Sequence, residues 1–205
     1  AKQIGDAIMP HILTEQQNRL IRQYDSETLW IEAWGENSLR VRSTHEGIMS
    51  ENDWALLPAP RTQTVIQITG TEASITNGNI KAEINSTGDL TFFNTEGKIL
   101  LREFSSRESW GIKKRGRDFQ PVPGGDYRLV TRFESDPEEK LFGMGQYQQP
   151  QLNVKGCILE LAHRNSQASI PFAVSSLGYG FLWNNPAIGS AAFGRNITEW
   201  TALST

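Results

Sequence analysis

Residues 73–103 decide the fold, because the stretch ASITNGNIKAEINSTGDLTFFNTEGKILLRE consists of short β-prone segments separated by turn signals. The segments are rich in isoleucine, threonine, phenylalanine and leucine, which favour a pleated, half-buried surface. The interruptions are Asn-Gly, Ser-Thr-Gly-Asp and Thr-Glu-Gly, at the spacing of a β-meander. This stretch therefore predicts consecutive antiparallel strands.

The same pattern continues on both sides of this stretch. Residues 27–43 alternate apolar and polar side chains around a turn at Gly35, which predicts a hairpin. Residues 64–69 and 126–134 are predicted to be strands, and so are the segments KLFGMG, CILELA, IPFAVSS, YGFLW and SAAFG. Residues 105–125 form a long excursion without a strand pattern of their own. The sequence predicts an all-β domain of two packed sheets, a β-sandwich.

The first residues have a different character. Residues 14–22, TEQQNRLIR, are the one place with a helical pattern, and residues 1–25 are predicted to be an N-terminal extension with either a short helix or partly disordered chain. The β-sandwich is predicted to occupy residues 26–205.

Composition excludes several classes of protein. The chain has 205 residues, 38% hydrophobic and 21% charged, which excludes wholesale disorder. The net charge of −3 gives no electrostatic footprint for nucleic acid, and the basic run 113–117 is interpreted as a solvated loop. No run approaches a membrane span and no signal peptide is visible, so we expect a cytoplasmic protein. Cys157, the single cysteine, cannot form an internal disulfide.

The residues offer no catalytic machinery of a familiar kind. The three histidines lack zinc-type spacing, so we expect no metal site, and no cofactor motif is complete. There is no Gly-x-Ser-x-Gly nucleophile motif. Glu160 and His163 are three residues apart in a predicted strand, and such residues point to opposite faces. We therefore expect no acid–base pair and no catalytic residue in this chain.

Two polar loops remain as the candidate site. They are 163–169, HRNSQAS, and 183–189, WNNPAIG, and a hairpin turning at 177–178 would place both at the same edge of a sheet. Guanidinium and amide groups suit paired hydrogen bonds to adjacent sugar hydroxyls. The alternative is that the asparagines only satisfy turn backbone. The arginine and asparagine groups of this kind in the two loops are those of Arg164, Asn165, Asn184 and Asn185.

The sequence from about residue 26 onward resembles the N-terminal domain of glycoside hydrolase family 31, the α-glucosidase and α-xylosidase family. The resemblance is carried by the motifs IEAWGENSLRVRS, DWALLP, KLFGMGQYQQ, LELAHRNSQASIPF and SSLGYGFLWNNPAIG. It implies a galactose-mutarotase-like sandwich (the supersandwich kind) that packs on a catalytic (β/α)8 barrel following residue 205. It also implies that a sandwich loop reaches the pocket for α-linked glucosides or xylosides. The matching positions, and hence the candidate substrate-binding residues, are Arg164, Asn165, Ser166, Asn184 and Asn185.

The sequence departs from the family pattern in one respect. Retaining hydrolysis needs two carboxyl groups about 5 Å apart, and the family's aspartate motif of the Trp-x-Asp-x-Asn-Glu kind is absent here. On this interpretation the chain alone is inactive and belongs to a longer enzyme.

Two other interpretations stay open at this point. A stand-alone carbohydrate-binding module would use exposed tryptophans as stacking platforms. An aldose epimerase on the same fold would place His163 beside a carboxylate in a cleft. The accessory domain instead predicts a contiguous apolar patch on one face.

Overall fold

The computed structural model describes residues 12–51, 53, 55–60, 62–106 and 114–203. This described part of the chain contains seventeen strands and no helix, and its strands pair in antiparallel fashion. The all-β prediction is confirmed. Because the described residues form no helix, none of them provides a long apolar helix that could cross a membrane.

The chain divides into two compact units, the first of which ends at Gly88. Its described strands are β1 (Leu13–Gln16), β2 (Arg19–Tyr24), β3 (Glu27–Ala33), β4 (Leu39–Thr44), β5 (Val65–Thr69), β6 (Glu72–Asn77) and β7 (Ile80–Ile84). One sheet has the order β1-β2-β3-β4, and β5, β6 and β7 pair consecutively. The hairpin predicted over 27–43 is confirmed as β3 and β4, which turn at Gly35 with a φ of +76°.

The helix expected over residues 14–22 is wrong, because these residues form the β1–β2 hairpin. Gln17 and Asn18 make a two-residue turn with φ values of +53° and +61°, the backbone that right-twisted hairpins prefer. The Asn18 side chain fixes this turn by accepting the Thr64 N–H at 3.0 Å. Leu20 is then buried by pairing with β3, so tertiary packing overrides the weak helical pattern.

The predicted boundary after residue 25 falls inside a hairpin turn. Strand β2 pairs with β3 as far as Tyr24 opposite Glu27, and Asp25 in the connecting turn has a φ of +56°. Residues 13–24 therefore form the β1–β2 hairpin of the first sheet and are not an extension. The rest of the predicted extension, residues 1–11, lies outside the described residues.

The second unit begins at Asp89. Its described strands are β8 (Leu90–Phe93), β9 (Ile99–Arg102), β10 (Arg117–Pro121), β11 (Tyr127–Glu134), β12 (Leu141–Gln146), β13 (Ile158–Leu161), β14 (Ala168–Ser175), β15 (Gly180–Leu182), β16 (Gly189–Phe193) and β17 (Ile197–Leu203). A five-stranded sheet has the order β10-β11-β17-β16-β13, and a three-stranded sheet has the order β12-β14-β15.

These two sheets of the second unit pack together as a sandwich. Their shared core takes Phe133 and Trp200 from the five-stranded sheet, and Met144 and Ala173 from the three-stranded one. Phe181 on β15 contacts the Trp200 ring with a centroid distance of 5.0 Å. Cys157 packs against this core as a half-buried side chain, in agreement with a structural role for the thiol.

The sequence pattern did not predict two strands of this sandwich, β10 and β17. Strand β10 lies within the supposed excursion 105–125 and pairs with β11 along its whole length. The first residue of β10, Arg117, belongs to the basic run predicted to be a solvated loop, yet it forms an ion pair with buried Glu103. Strand β17 is the central strand of the five-stranded sheet. Both strands mix charged and apolar residues, which obscures a two-residue period.

The glycine-rich end of β12 contains a bulge. Gly143, Met144 and Gly145 have successive φ values of +97°, +72° and +91°, and the register with β14 shifts between the two glycines. Met144 is buried in the core despite this unfavourable backbone. The bulge thus turns a core side chain inward at the point where β12 lies against the start of β14.

Candidate functional site

The two polar loops lie at one end of the β14–β15 hairpin, as the sequence predicts. Phe172 pairs with Leu182, and the turn at the far end includes Gly178 with a φ of +90°. The Trp183 N–H extends the pairing by donating to the Pro171 carbonyl oxygen at 2.9 Å. The register therefore brings the start of β14 and the end of β15 side by side. We call residues 163–167 and 184–187 the polar edge.

The first loop of the polar edge is a tight turn with exposed polar tips. Arg164 and Gln167 bond each other through their backbones, with the Gln167 N–H donating to the Arg164 carbonyl oxygen at 3.2 Å. Ser166 has a φ of +67°, a left-handed backbone that is unfavourable for a residue with a Cβ. Asn165 and Ser166 are both exposed. The turn displays their polar groups to solvent in a defined conformation.

The Arg164 guanidinium is engaged within the protein. Its Nε and Nη2 atoms donate to the two carboxylate oxygens of Glu160, at 3.0 and 2.6 Å. This hydrogen bonding lowers the pKa of Glu160 and raises the pKa of Arg164 from their ordinary values, so both groups stay charged. Both side chains are exposed. The pair orients Arg164 and leaves its remaining N–H groups as the ones that could reach a ligand.

His163 does not meet a carboxylate. Its Nδ1 atom accepts a long hydrogen bond of 3.4 Å from the Ser169 N–H, while Glu160 is bound to Arg164. Among the described residues no hydrogen bond or ion pair joins His163 to an acid. This arrangement disfavours the epimerase interpretation. The opposite-face argument does not apply, because β13 ends at Leu161 and His163 lies beyond the strand.

Tyr147 stabilises the first loop from outside it, and the sequence analysis missed it. Its hydroxyl donates to the Glu160 carbonyl oxygen at 2.9 Å and lies 2.7 Å from the Ser169 Oγ. It therefore links β13 to the first residues of β14, the two strands that flank the first loop. No sequence signal marks this tyrosine, because the contact depends on how the two sheets pack.

The two asparagines of the second loop have different environments. The Asn185 Oδ1 accepts the Ala187 N–H at 2.9 Å and the Asn185 N–H donates to the Trp183 carbonyl oxygen at 3.0 Å. Asn185 is half-buried and satisfies turn backbone, which is the alternative that the sequence left open. Asn184 is exposed, so it is the amide of this loop that a ligand can reach.

We expect Asn185→Ala to lower the free energy of unfolding by about 0.5–1.5 kcal/mol, because the Ala187 N–H loses its acceptor. Asn184→Ala is the matched control and should change stability by less than about 0.5 kcal/mol. Urea unfolding followed by tryptophan fluorescence measures both. An equal loss in the two variants would contradict this division of roles.

The tryptophans do not form an exposed sugar-stacking platform in the described part of the chain. Trp200 is buried, and Trp183 stacks beside it with a centroid distance of 6.3 Å. In the first unit, the Arg19 guanidinium stacks on Trp30 at 3.9 Å and the Arg40 guanidinium stacks on Trp34 at 4.0 Å. Trp54 and Trp110 lie outside the described residues. These contacts disfavour the binding-module interpretation.

Three arginines of that first-unit sheet converge on one carboxylate. Glu32 pairs with Arg19 at 2.9 Å, with Arg40 at 2.9 Å and with Arg42 at 2.8 Å. These ion pairs hold the guanidinium groups over the tryptophan rings of the same sheet face. The cluster therefore has a structural role. The N–H donors of these arginines are directed at Glu32 and at loop acids such as Glu51. We therefore do not assign this cluster to ligand binding.

The polar edge has groups that can bind a ligand but does not supply a pair of acids. Among the described residues of the two loops and of β13, Glu160 is the only carboxylate, and Arg164 occupies both of its oxygens. No group of three potential metal ligands occurs in the described part of the chain. What the edge offers is amide, hydroxyl and guanidinium groups, the donors and acceptors that hold neutral polyhydroxyl ligands.

Comparison with known proteins gives one family. The family model described as the glycosyl hydrolase 31 N-terminal galactose mutarotase-like domain matches residues 28–190. The chain is 46% identical over 208 aligned residues to an uncharacterized family 31 glucosidase, ORF2, of Pseudescherichia vulneris, covering 94% of this chain and 39% of that protein. It is 28% identical to alpha-xylosidase A of Aspergillus niger, covering 89% of this chain and 27% of that one.

A solved structure shows the same similarity. The chain matches a GH31 alpha-xylosidase from a soil metagenome, in complex with xylose, with a TM-score of 0.88 and 47% identity. The match covers 93% of this chain and 30% of that protein. The chain thus spans between about a quarter and two fifths of the length of these relatives.

Proposed function

This chain belongs to the glycosyl hydrolase 31 N-terminal galactose mutarotase-like domains, and we propose that it is the non-catalytic sandwich of a longer retaining α-glycosidase. In this role it packs on the catalytic barrel and contributes a loop of the polar edge to the substrate pocket. The longer enzyme removes terminal α-linked xylose or glucose. The similarity to glycosidases supports this function, since the relatives named above include a glucosidase and alpha-xylosidases.

The observation that carries the pocket role is the placement of two exposed loops at one end of the β14–β15 hairpin. Asn165, Ser166 and Asn184 are exposed there, and Glu160 holds the guanidinium of Arg164 beside them. An amide can donate to one hydroxyl and accept from the next, which suits the adjacent hydroxyls of a pyranose ring. Asn185 contributes by shaping the second loop.

Xylose is the favoured sugar, with glucose as the alternative. The solved relative that is 47% identical is an alpha-xylosidase in complex with xylose, and the curated relative at 28% is an alpha-xylosidase. The relative at 46% is called a glucosidase. The two sugars differ by a hydroxymethyl group, so a matched pair of substrates distinguishes them.

The test uses the full-length polypeptide with aryl α-xyloside and aryl α-glucoside substrates. Asn165→Ala and Asn184→Ala should each raise KM by about two- to tenfold, since a lost hydrogen bond costs about 0.5–1.5 kcal/mol. Asn196→Ala is the matched control, because Asn196 is an exposed asparagine in the bend after β16, at the opposite end of that strand from the second loop. KM values in the two pocket variants equal to that of the control would overturn the pocket role.

The same proposal predicts that residues 1–205 alone cleave neither substrate. Glu160 is the single carboxylate beside the polar edge among the described residues of its loops and of β13, whereas retaining chemistry requires a nucleophile and an acid/base held together. Turnover by the purified 205-residue chain would overturn the non-catalytic assignment.

A further inference from the structure

The three-stranded sheet of the second unit has an apolar face that is exposed to solvent. Along β14, the alternate residues Ile170, Phe172 and Val174 are 56%, 42% and 43% exposed. Leu182 on β15 pairs with Phe172 across the sheet and is 44% exposed. Directly opposite residues in an antiparallel pair project to the same side. These four side chains therefore form one contiguous surface, which we call the outer face.

The other side of β14 is buried at three of its four positions, and Pro171 is half-buried there. Ser169, Ala173 and Ser175 alternate with the exposed residues and are 8%, 2% and 4% exposed, facing the sandwich core. The outer side of a sheet that normally meets water carries polar residues in this alternation. Here it carries isoleucine, phenylalanine and valine instead, the composition of a strand buried on both sides. Strand β14 therefore has the sequence of a strand that is covered on both sides, but only its inner side packs against another sheet.

The outer face adjoins the polar edge. Ile170 lies three residues after Gln167, and Leu182 lies two residues before Asn184. The pairing of Phe172 with Leu182 places these apolar residues side by side below the two loops. A body seated on the outer face would have its boundary along the polar edge, with the exposed amides facing it.

We infer that the outer face docks the part of the polypeptide that the longer relatives carry beyond this domain. The inference rests on the proposed function and identifies which surface of the sandwich that function uses. The length of the relatives identifies this occupant. This chain covers 30% of the alpha-xylosidase of known structure and 39% of the relative from Pseudescherichia vulneris. Most of such a polypeptide is available to cover the face.

The size of the face favours an occupant in the same chain over a second copy. Three strands at about 4.8 Å spacing and eight residues at about 3.3 Å rise give a surface of about 400 Å² at most. Stable dimers bury about 800 Å² on each partner. A domain tethered to its neighbour is held at high effective concentration, so a smaller contact suffices.

Cysteine labelling of the full-length polypeptide tests the assignment. Leu182→Cys places a thiol on the outer face, and Leu152→Cys is the control, at a side chain that is 79% exposed on the segment before β13. The probe is a maleimide, and peptide mass spectrometry separates these sites from Cys157. The exposed fractions of 44% and 79% alone predict labelling rates that differ by about twofold.

Docking predicts that the thiol at 182 reacts at least about tenfold more slowly than the thiol at 152, with the two rates equal in urea. This protection should be unchanged on dilution. A ratio near two would overturn the inference, and protection that disappears on dilution together with a dimer by light scattering would assign the face to a second copy and also overturn it. Protection in an enzyme that cleaves no α-glycoside would support docking while rejecting the proposed function.

Discussion

Replacing Gly145 with alanine is expected to lower the free energy of unfolding by at least about 3 kcal/mol. Gly145 has a φ of +91°, and a Cβ there would lie 2.3 Å from the Ala168 carbonyl oxygen and 2.8 Å from the Ile170 nitrogen. Both neighbours are backbone atoms of β14, so the clash cannot be relieved by rotating a side chain. Relief requires moving the start of β14 away from β12. Urea unfolding with an unchanged m-value would measure the loss.

Gly178→Ala is the matched control for this substitution. Gly178 has a φ of +90°, nearly the same backbone strain, but no atom lies within 4 Å of the position that its Cβ would take. The difference in unfolding free energy between the two variants therefore measures the steric clash with β14 separately from the cost of the positive φ. We expect the control to lose about 1–2 kcal/mol. Equal losses would show that the close approach of β12 to β14 is not a constraint.

The Gly145 substitution should also act on the polar edge. Ala168 and Ile170 follow directly after the first loop, and Ser169 between them is linked to Tyr147 and to His163. A displaced β14 would move the loop that carries Asn165. Under the proposed function we therefore expect the Gly145 substitution to raise the KM of the full-length polypeptide at temperatures where it is still folded, whereas Gly178→Ala should leave KM unchanged.

Removing the Arg117 side chain is the second substitution with a large expected effect. Glu103 is 3% exposed, and its carboxylate is bound by Arg117 and by the Leu90 N–H at 2.8 Å. Arg117→Ala leaves that carboxylate buried without its cation, which costs about 3–5 kcal/mol of stability. Arg102→Ala is the control, because Arg102 and Glu134 are both about two fifths exposed and 3.5 Å apart. The control should lose less than about 1 kcal/mol.

The pH dependence of this variant has a defined sign. Burial raises the pKa of Glu103 above its ordinary value of 4.5, although Arg117 acts in the opposite direction. Loss of Arg117 removes the lowering influence and raises this pKa further. A carboxyl with a raised folded-state pKa binds its proton more tightly when folded, so its stability contribution is present below the ordinary value and is lost as the pH rises through the folded-state pKa.

The deficit of Arg117→Ala relative to the wild type should consequently shrink as the pH falls from 7 toward 4.5. Adding Glu103→Gln to Arg117→Ala should recover a large part of the loss at pH 7, because the buried charge is gone. A deficit independent of pH, and unaffected by Glu103→Gln, would mean that packing of the arginine stem and not the charge is responsible.

The strand pattern predicted the structure wherever alternation and turn residues agreed. Residues 73–103 and 27–43 have both signals, and both form strands as predicted. The pattern failed at 14–22, where a Gln-Asn turn was unrecognised, and at β10 and β17, where charged residues enter the sheet through partners distant in sequence. Glu199 on β17, for example, bonds Arg132 on β11 at 2.7 Å.

Local sequence was enough to establish the all-β class, the β14–β15 hairpin and the placement of both polar loops at one end of it. These follow from periodicity and turn chemistry, which act over a few residues. Three features required the three-dimensional arrangement: Arg117 pairs with buried Glu103, Tyr147 links β13 to the start of β14, and the outer face of β14 is exposed. Those outcomes depend on register, on the β12 bulge and on sheet packing, which bring together side chains that local sequence cannot pair.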